Sequence, residues 1–207
     1  MAHEKENMKE KDKQDNEKEK ISPASQEEAI LQFWETQGIY KKSKLKNAKG
    51  KKFYMMDGPP YATGYIHLGT AFNKILKDIA MRSQRLQGKD VFDRPGYDTH
   101  GIPIEVQVEK ELGFQSKKDI EAYGISQFVD KCRTHATRYL DAMTKQFSNL
   151  GVWMDWENPY LTLDDSYIES IWAVFKEADK KGLLYLGKYP VHVCTRCETA
   201  VAYNEIE

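Results

Sequence analysis

The segment 53–88 constrains the fold of this chain more than any other. Four apolar residues, Phe53-Tyr54-Met55-Met56, read as a short buried strand. Pro59, Pro60 and Gly64 then forbid regular structure, after which Phe72, Ile75, Leu76 and Ile79 recur at helical spacing. That helix is expected over about 70–87, closed by Gly88, and Val91-Phe92 reads as a second short strand leading into Arg94-Pro95-Gly96. Strand, helix and strand in that order form a parallel crossover. Such a unit places the ends of both strands on one side of the sheet, where ligands bind in open α/β folds, so Gly58 and Asp98 are expected to face one crevice. At the turn, Gly69 would let a ligand approach the backbone, and the unpaired N–H groups of the helix N-terminus would face outward. His67 would then stand ready to donate to phosphate oxygens. A lone His-Leu-Gly-Thr is equally consistent with an ordinary helix cap.

Around this centre the chain divides by composition. Residues 1–20 are almost wholly charged or amide, with no apolar period to offset the entropy of ordering them, and are expected to form a disordered, solvated tail. Ser25-Gln26-Glu27-Glu28 fits a capping box for a helix lined by Ile30, Phe33 and Trp34 that ends before Gly38. The Lys-rich stretch 41–52 reads as an exposed connection. Further on, Phe128, Val129, Cys132, Ala136, Tyr139, Leu140, Met143 and Phe147 trace a helical stripe over 126–150. Ile168, Ile171, Trp172 and Phe175 trace another, and both are expected to be packing helices. Cys132 is read as a core residue and His135, beside that face, as a surface residue.

The charge balance, 31 basic against 32 acidic residues, gives no global basic field, so any contact with nucleic acid must be local. No apolar run approaches the roughly 20 residues that span a bilayer, and the charged start has no signal-peptide core. A soluble, cytoplasmic protein is expected. Of the three cysteines one is isolated and two form Cys194-Thr195-Arg196-Cys197, which is no disulfide framework. The spacing of that pair suits half a zinc knuckle. A redox pair normally opens a helix after a strand, and residues 200–207 carry no helical cap or period, so zinc is preferred.

Two blocks carry a resemblance. GPPYATGYIHLGT, residues 58–70, resembles the HIGH signature of class I aminoacyl-tRNA synthetases, and GYDTHGIPIE, residues 96–105, resembles the block that accompanies it in isoleucyl-tRNA synthetases. The stretches GVWMDWENPYLTLDDSYIESIW from Gly151 and CTRCETA from Cys194 also look like that family. The resemblance implies the N-terminal half of a Rossmann-like nucleotide-binding fold: a tail over 1–20, half of the catalytic domain over 21–186, and the start of an inserted, zinc-bearing editing module over 187–207.

The same resemblance implies an activity. Isoleucine is activated with ATP and Mg²⁺ to isoleucyl-adenylate and passed to tRNA(Ile), by an enzyme that is monomeric as a whole and free of membranes. His67 and Thr70 would be catalytic, with Pro60, His67, Gly69 and Thr70 binding ATP. Thr70 stands where many members have a second histidine; its hydroxyl can still donate to an anion but cannot become cationic. Gly58, Pro59 and Asp98 would bind the amino acid, the Asp98 carboxylate matching the substrate ammonium. Cys194 and Cys197 would supply half a zinc site, completed by a second cysteine pair from the far end of the inserted module. His100 is read either as a ligand contact or as a turn-stabilising side chain, and stays outside the catalytic set. No lysine loop of the KMSKS type occurs, so the chain is read as an incomplete N-terminal fragment and is expected to be inactive by itself. The alternatives are a non-catalytic nucleotide-fold or tRNA-binding module and a valine-type synthetase, the latter disfavoured by Asp98-Thr99-His100-Gly101.

Overall fold

A computed structural model of the chain describes residues 22–203, so the tail expected over 1–20 lies outside the described residues. Two compact units divide between Lys46 and Asn47. In the first, helix α1 (Pro23–Thr36) is followed by α2 (Ile39–Asn47), whose last residue belongs to the second unit. The cap of α1 is Ser22, not the expected Ser25: the Ser22 hydroxyl accepts from the Ser25 N–H, and Pro23, which lacks an N–H, occupies the first turn. The Lys-rich stretch, expected as an open connection, is helical through Asn47, because straight-chain lysines lose little rotamer freedom in a helix.

In the second unit, β1 (Lys52–Tyr54) and β2 (Asp90–Phe92) pair in parallel with Phe53 opposite Val91, joined by α3 (Leu68–Leu86). The expected crossover is therefore present. Its first strand is shorter than Phe53 to Met56 and is not buried on both faces: Phe53 and Met55 pack against the core, while Tyr54 and Met56 face outward. A second parallel pair joins β3 (Gly96–Tyr97) to β4 (Tyr160–Leu161), and Tyr61 bridges to Asp98 beside it. Gly96 has a steric reason there. A Cβ at this position would lie 2.1 Å from the Tyr160 ring.

Between β3 and β4 in the chain come α4 (Ile102–Leu112), α5 (Lys117–Tyr123) and the long α6 (Ile125–Asn149). The short α5 is held by a capping box in which Ser116 and Asp119 answer each other's backbone N–H groups. The α6 stripe buries Phe128, Ala136, Met143 and Phe147 as expected. His135 departs from expectation: it is buried, with Nδ1 3.2 Å from Glu111, while Cys132 is only half-buried. Helix α7 (Asp165–Lys180) also departs, for none of its described residues is buried and Trp172 is 68 % exposed. A hairpin of β5 (His192–Cys194) and β6 (Thr199–Val201) follows.

Two apolar clusters meet at Trp156. One contains Ala62, Tyr97, Met143 and Phe147, the other Met81, Val91, Val152 and Met154. Phe147 stacks on Trp156 with centroids 5.7 Å apart. The Tyr97 hydroxyl meets Thr144 at 2.5 Å, and burial, the largest cause, pushes its pKa to about 12, so it stays neutral.

The amphipathicity of α3 is inverted. Its apolar residues Phe72, Ile75, Leu76 and Ile79 are on the exposed face, and it buries Lys74, Asp78, Met81 and Arg85 at four-, three- and four-residue steps. Each buried charge has an opposite partner or a backbone donor. Lys74 pairs with Asp57 and Arg85 with Asp93, while Asp78 accepts from Arg82 Nε and from the Trp153 N–H at 2.8 Å. Burial lowers the pKa of Lys74 from its ordinary value, and the Asp57 carboxylate opposes that. The Lys74 ammonium also lies 5.1 Å from the centre of the Phe147 ring.

Substituting Gly96→Ala should destabilise the chain by roughly 1–3 kcal/mol, the usual cost of overpacking. Urea denaturation measures this, and in a Tyr160→Ala background the added cost should nearly vanish. An equal cost in both backgrounds would show that Tyr160 is not what the glycine accommodates.

Candidate functional site

The turn between β1 and α3 is fixed at several points before any ligand is considered. Asp57 is 2 % exposed. Its carboxylate takes Lys74, Lys77 Nζ at 2.8 Å and the Gly96 N–H at 2.9 Å, and its carbonyl accepts from the Tyr160 hydroxyl. Lys77 also donates to the Gly58 carbonyl at 3.2 Å. The chain from Pro60 to Ala62 then lies beside Asp98: the Asp98 N–H donates to the Pro60 carbonyl at 2.8 Å, and the Ala62 N–H to the Asp98 carbonyl at 2.9 Å. At the far end of the turn, the Ile66 N–H donates to Gln146 Oε1 of α6 at 3.0 Å.

His67 follows as the N-cap of α3 in an extended conformation. Its Nδ1 accepts from the N–H groups of Gly69 at 3.1 Å and Thr70 at 3.3 Å. Those two N–H groups are thus used by the protein, contrary to the expectation that they would face outward. The arrangement decides the tautomer. A ring nitrogen that accepts has no proton, so neutral His67 carries its proton on Nε2, which remains a donor. Gly69 serves the same cap, for a Cβ there would lie 3.1 Å from the imidazole Cε1, tighter than ordinary contact.

A cavity of about 290 Å³ is lined by Gly58, Pro60, His67, Gly69, Thr70, Asn73 and Lys74. It gathers all four residues assigned to ATP and one of the three assigned to the amino acid. Neither Pro59 nor Asp98 lines it, although the Asp98 N–H donates to the carbonyl of Pro60, which does. Asn73 and Lys74 escaped the sequence reading. They lie three and four positions after Thr70, on the same helix face, and that spacing was the available signal.

Cys194 and Cys197 lie on the β5–β6 hairpin, the Cys197 N–H 3.4 Å from the Cys194 sulfur. That N–H, with the one from Arg196, draws the Cys194 thiol below its ordinary value, and burial pushes the Cys197 thiol up. Among the described residues no three metal-ligating side chains converge. The pair fits two positions of a tetrahedral site and no more. Arg196 pairs with Glu109 of α4 at 2.6 Å.

A family model described as tRNA synthetases class I (I, L, M and V) matches residues 29–207. The chain belongs to this family. This class I synthetase chain is 52 % identical over 188 residues to the isoleucine–tRNA ligase of Archaeoglobus fulgidus, covering 91 % of the chain and 18 % of that relative. Proteins of the same name from Methanothrix thermoacetophila and Pyrococcus furiosus are 48 % and 51 % identical, over 90 % and 89 % of the chain and 18 % and 17 % of their own lengths. The chain therefore spans less than a fifth of the curated relatives it matches. Among solved structures, the fold resembles LeuRS in the ternary complex of Agrobacterium radiobacter K84 agnB2 LeuRS with tRNA and LeuAMS. The TM-score is 0.63 at 22 % identity, over 88 % of this chain and 21 % of that one, a likeness of fold alone. The class I α/β fold expected from the two motifs is borne out. No helix among the described residues is long and apolar enough to cross a membrane.

If Gly69 accommodates the His67 cap, His67→Ala should destabilise by about 1 kcal/mol, the usual value of a lost N-cap, and Gly69→Ala should be less favourable in the wild type than in a His67→Ala background. Full additivity in thermal or urea unfolding would contradict the shared cap.

Proposed function

We propose that this synthetase chain carries the ATP-binding turn and part of the amino-acid site of an isoleucine–tRNA ligase. One observation carries the reading: the two motif blocks meet, the Asp98 N–H on the Pro60 carbonyl, beside the cavity that Pro60 and His67 line. The names of relatives at about half identity favour isoleucine as the amino acid.

In the proposed reaction an isoleucine carboxylate oxygen attacks the α-phosphorus of ATP, a bond forms to that phosphorus, and pyrophosphate leaves. A ribose hydroxyl of the terminal adenosine of tRNA(Ile) then attacks the isoleucyl carbonyl, the acyl–phosphate bond breaks, and AMP leaves. No covalent enzyme intermediate is needed, so the protein's work is positioning and charge stabilisation. His67 Nε2–H donates to phosphoryl oxygens as their charge grows. Thr70 adds a hydroxyl at the same helix start, Gly69 keeps the imidazole in place, and Pro60 forms the apolar rim. Gly58 and Pro59 border the amino-acid side, and Asp98 neutralises and orients the α-ammonium. Mg²⁺ would accompany ATP and screen its phosphates.

We further propose that Cys194 and Cys197 supply two thiolates to a structural zinc, and that residues from about 187 begin the inserted module, with 21–186 belonging to the catalytic domain. A cytoplasmic, monomeric enzyme fits this reading.

In the complete enzyme, His67→Ala and Asp98→Ala should fail differently. Asp98 meets a full charge in the ground state, so its loss should weaken isoleucine binding at least roughly tenfold and leave ATP binding alone. His67 meets charge that develops during attack, so its loss should slow adenylate formation roughly 100-fold with small effects on either binding constant. Stopped-flow adenylate formation, with each substrate varied in turn, separates the two. Unchanged isoleucine affinity in Asp98→Ala, or a near-normal rate in His67→Ala, would refute these roles.

A further inference from the structure

Thr162 directly follows β4 and is 4 % exposed. Its N–H continues the parallel ladder to the Tyr97 carbonyl at 3.2 Å, which sets its side chain among three consecutive residues of the second motif. The hydroxyl oxygen lies 3.2 Å from Asp98 Oδ1, 2.9 Å from the Thr99 nitrogen and 2.7 Å from His100 Nδ1. Thr99 Oγ1, at 3.4 Å, is the most distant neighbour and itself accepts from the Leu163 N–H at 3.1 Å.

A hydroxyl has one hydrogen and two acceptor lone pairs, and these neighbours leave it little choice. The Thr99 backbone N–H can only donate and takes one lone pair. Asp98, as a carboxylate, can only accept and takes the hydrogen. With the hydrogen on Asp98, the second lone pair faces His100, whose Nδ1 then carries the proton, leaving Nε2 of the neutral ring as an acceptor. One buried oxygen thus joins the Asp98 carboxylate to the tautomer of His100.

We propose that Thr162 is the positioning residue of the amino-acid end of the site. By holding Oδ1 it fixes the rotation of the Asp98 carboxylate and leaves Oδ2 to meet the substrate ammonium, while it locks His100 as the Nδ1–H tautomer. The substrate half of this inference rests on the reading of Asp98 as the ammonium partner. Neither Thr162 nor a defined role for His100 is legible in the two motif blocks, because Thr162 lies about sixty positions further along the chain and reaches them only through the β3–β4 pairing.

Thr162→Val removes the hydroxyl at nearly constant shape, and Thr162→Ser keeps it. With the imidazole neutral, long-range proton–nitrogen spectra of ¹⁵N-histidine in the 207-residue chain should show His100 protonated on Nδ1 in the wild type and in Thr162→Ser. In Thr162→Val the proton should move largely to Nε2. In the complete enzyme, Thr162→Val should weaken isoleucine binding roughly tenfold, with ATP binding unchanged, and Thr162→Ser should restore it. A His100 tautomer that is Nε2–H in the wild type, or that ignores Thr162→Val, overturns the inference whatever the substrate. Unchanged isoleucine affinity in a folded Thr162→Val enzyme also overturns it. Asp98→Ala then locates the fault: if that variant binds isoleucine weakly, Thr162 does not position Asp98, and if it binds normally, the ammonium assignment itself has failed.

Discussion

Everything around the candidate site depends on how one buried carboxylate is satisfied. Asp57 stands where β1 ends and the Gly-Pro-Pro turn begins, and its side chain is out of water. An isolated carboxylate in such a place costs many kcal/mol, so the fold must bring donors to it. The donors come from three other segments: Lys74 and Lys77 from α3, the Gly96 N–H from β3, and the Tyr160 hydroxyl, which takes the carbonyl, from β4. A buried pair of this kind adds little net stability over an apolar one, but losing one partner costs about 3–5 kcal/mol. Its effect is therefore on geometry. The placement of the turn satisfies Asp57, Lys74 and the Gly96 N–H together.

The geometry propagates to His67. With Asp57 anchoring the start of the turn and Gln146 holding Ile66 at its end, the histidine reaches the first turn of α3 in an extended conformation and caps it. The cap turns an ambiguous side chain into a donor of known direction, because Nδ1 is occupied by two backbone N–H groups. The same helix start that would attract an anion by its dipole thus presents an imidazole N–H in place of two bare amides.

The sequence made the crossover legible because Pro59, Pro60 and Gly64 interrupt two periodic segments, and β1, α3 and β2 occur in that order. The grouping of Gly58, Pro60, His67, Gly69 and Thr70 was implied by the resemblance of block 58–70, and these five residues line one cavity. The orientation of α3 was not legible. Its apolar residues were the visible pattern, yet the buried face is Lys74, Asp78, Met81 and Arg85, since ion pairs with Asp57 and Asp93 satisfy charges that periodicity alone would assign to solvent. Gly69 looked like room for a ligand, and the structure gives that room to the imidazole. Thr162 and Gln146 were invisible for a simpler reason: each acts through strand or helix packing from far along the chain, and no local pattern marks such a contact. The helices α4 and α5 went unread for want of a long apolar period.

At the centre of the site, His67 accepts at Nδ1 and offers its proton at Nε2. Long-range proton–nitrogen correlation of the histidine side chains, with His67 assigned by comparison with His67→Ala, reads this directly. Neutral His67 should be a single Nε2–H tautomer with an unprotonated Nδ1. A His67 protonated on Nδ1, or one averaging freely between the two forms, would contradict it.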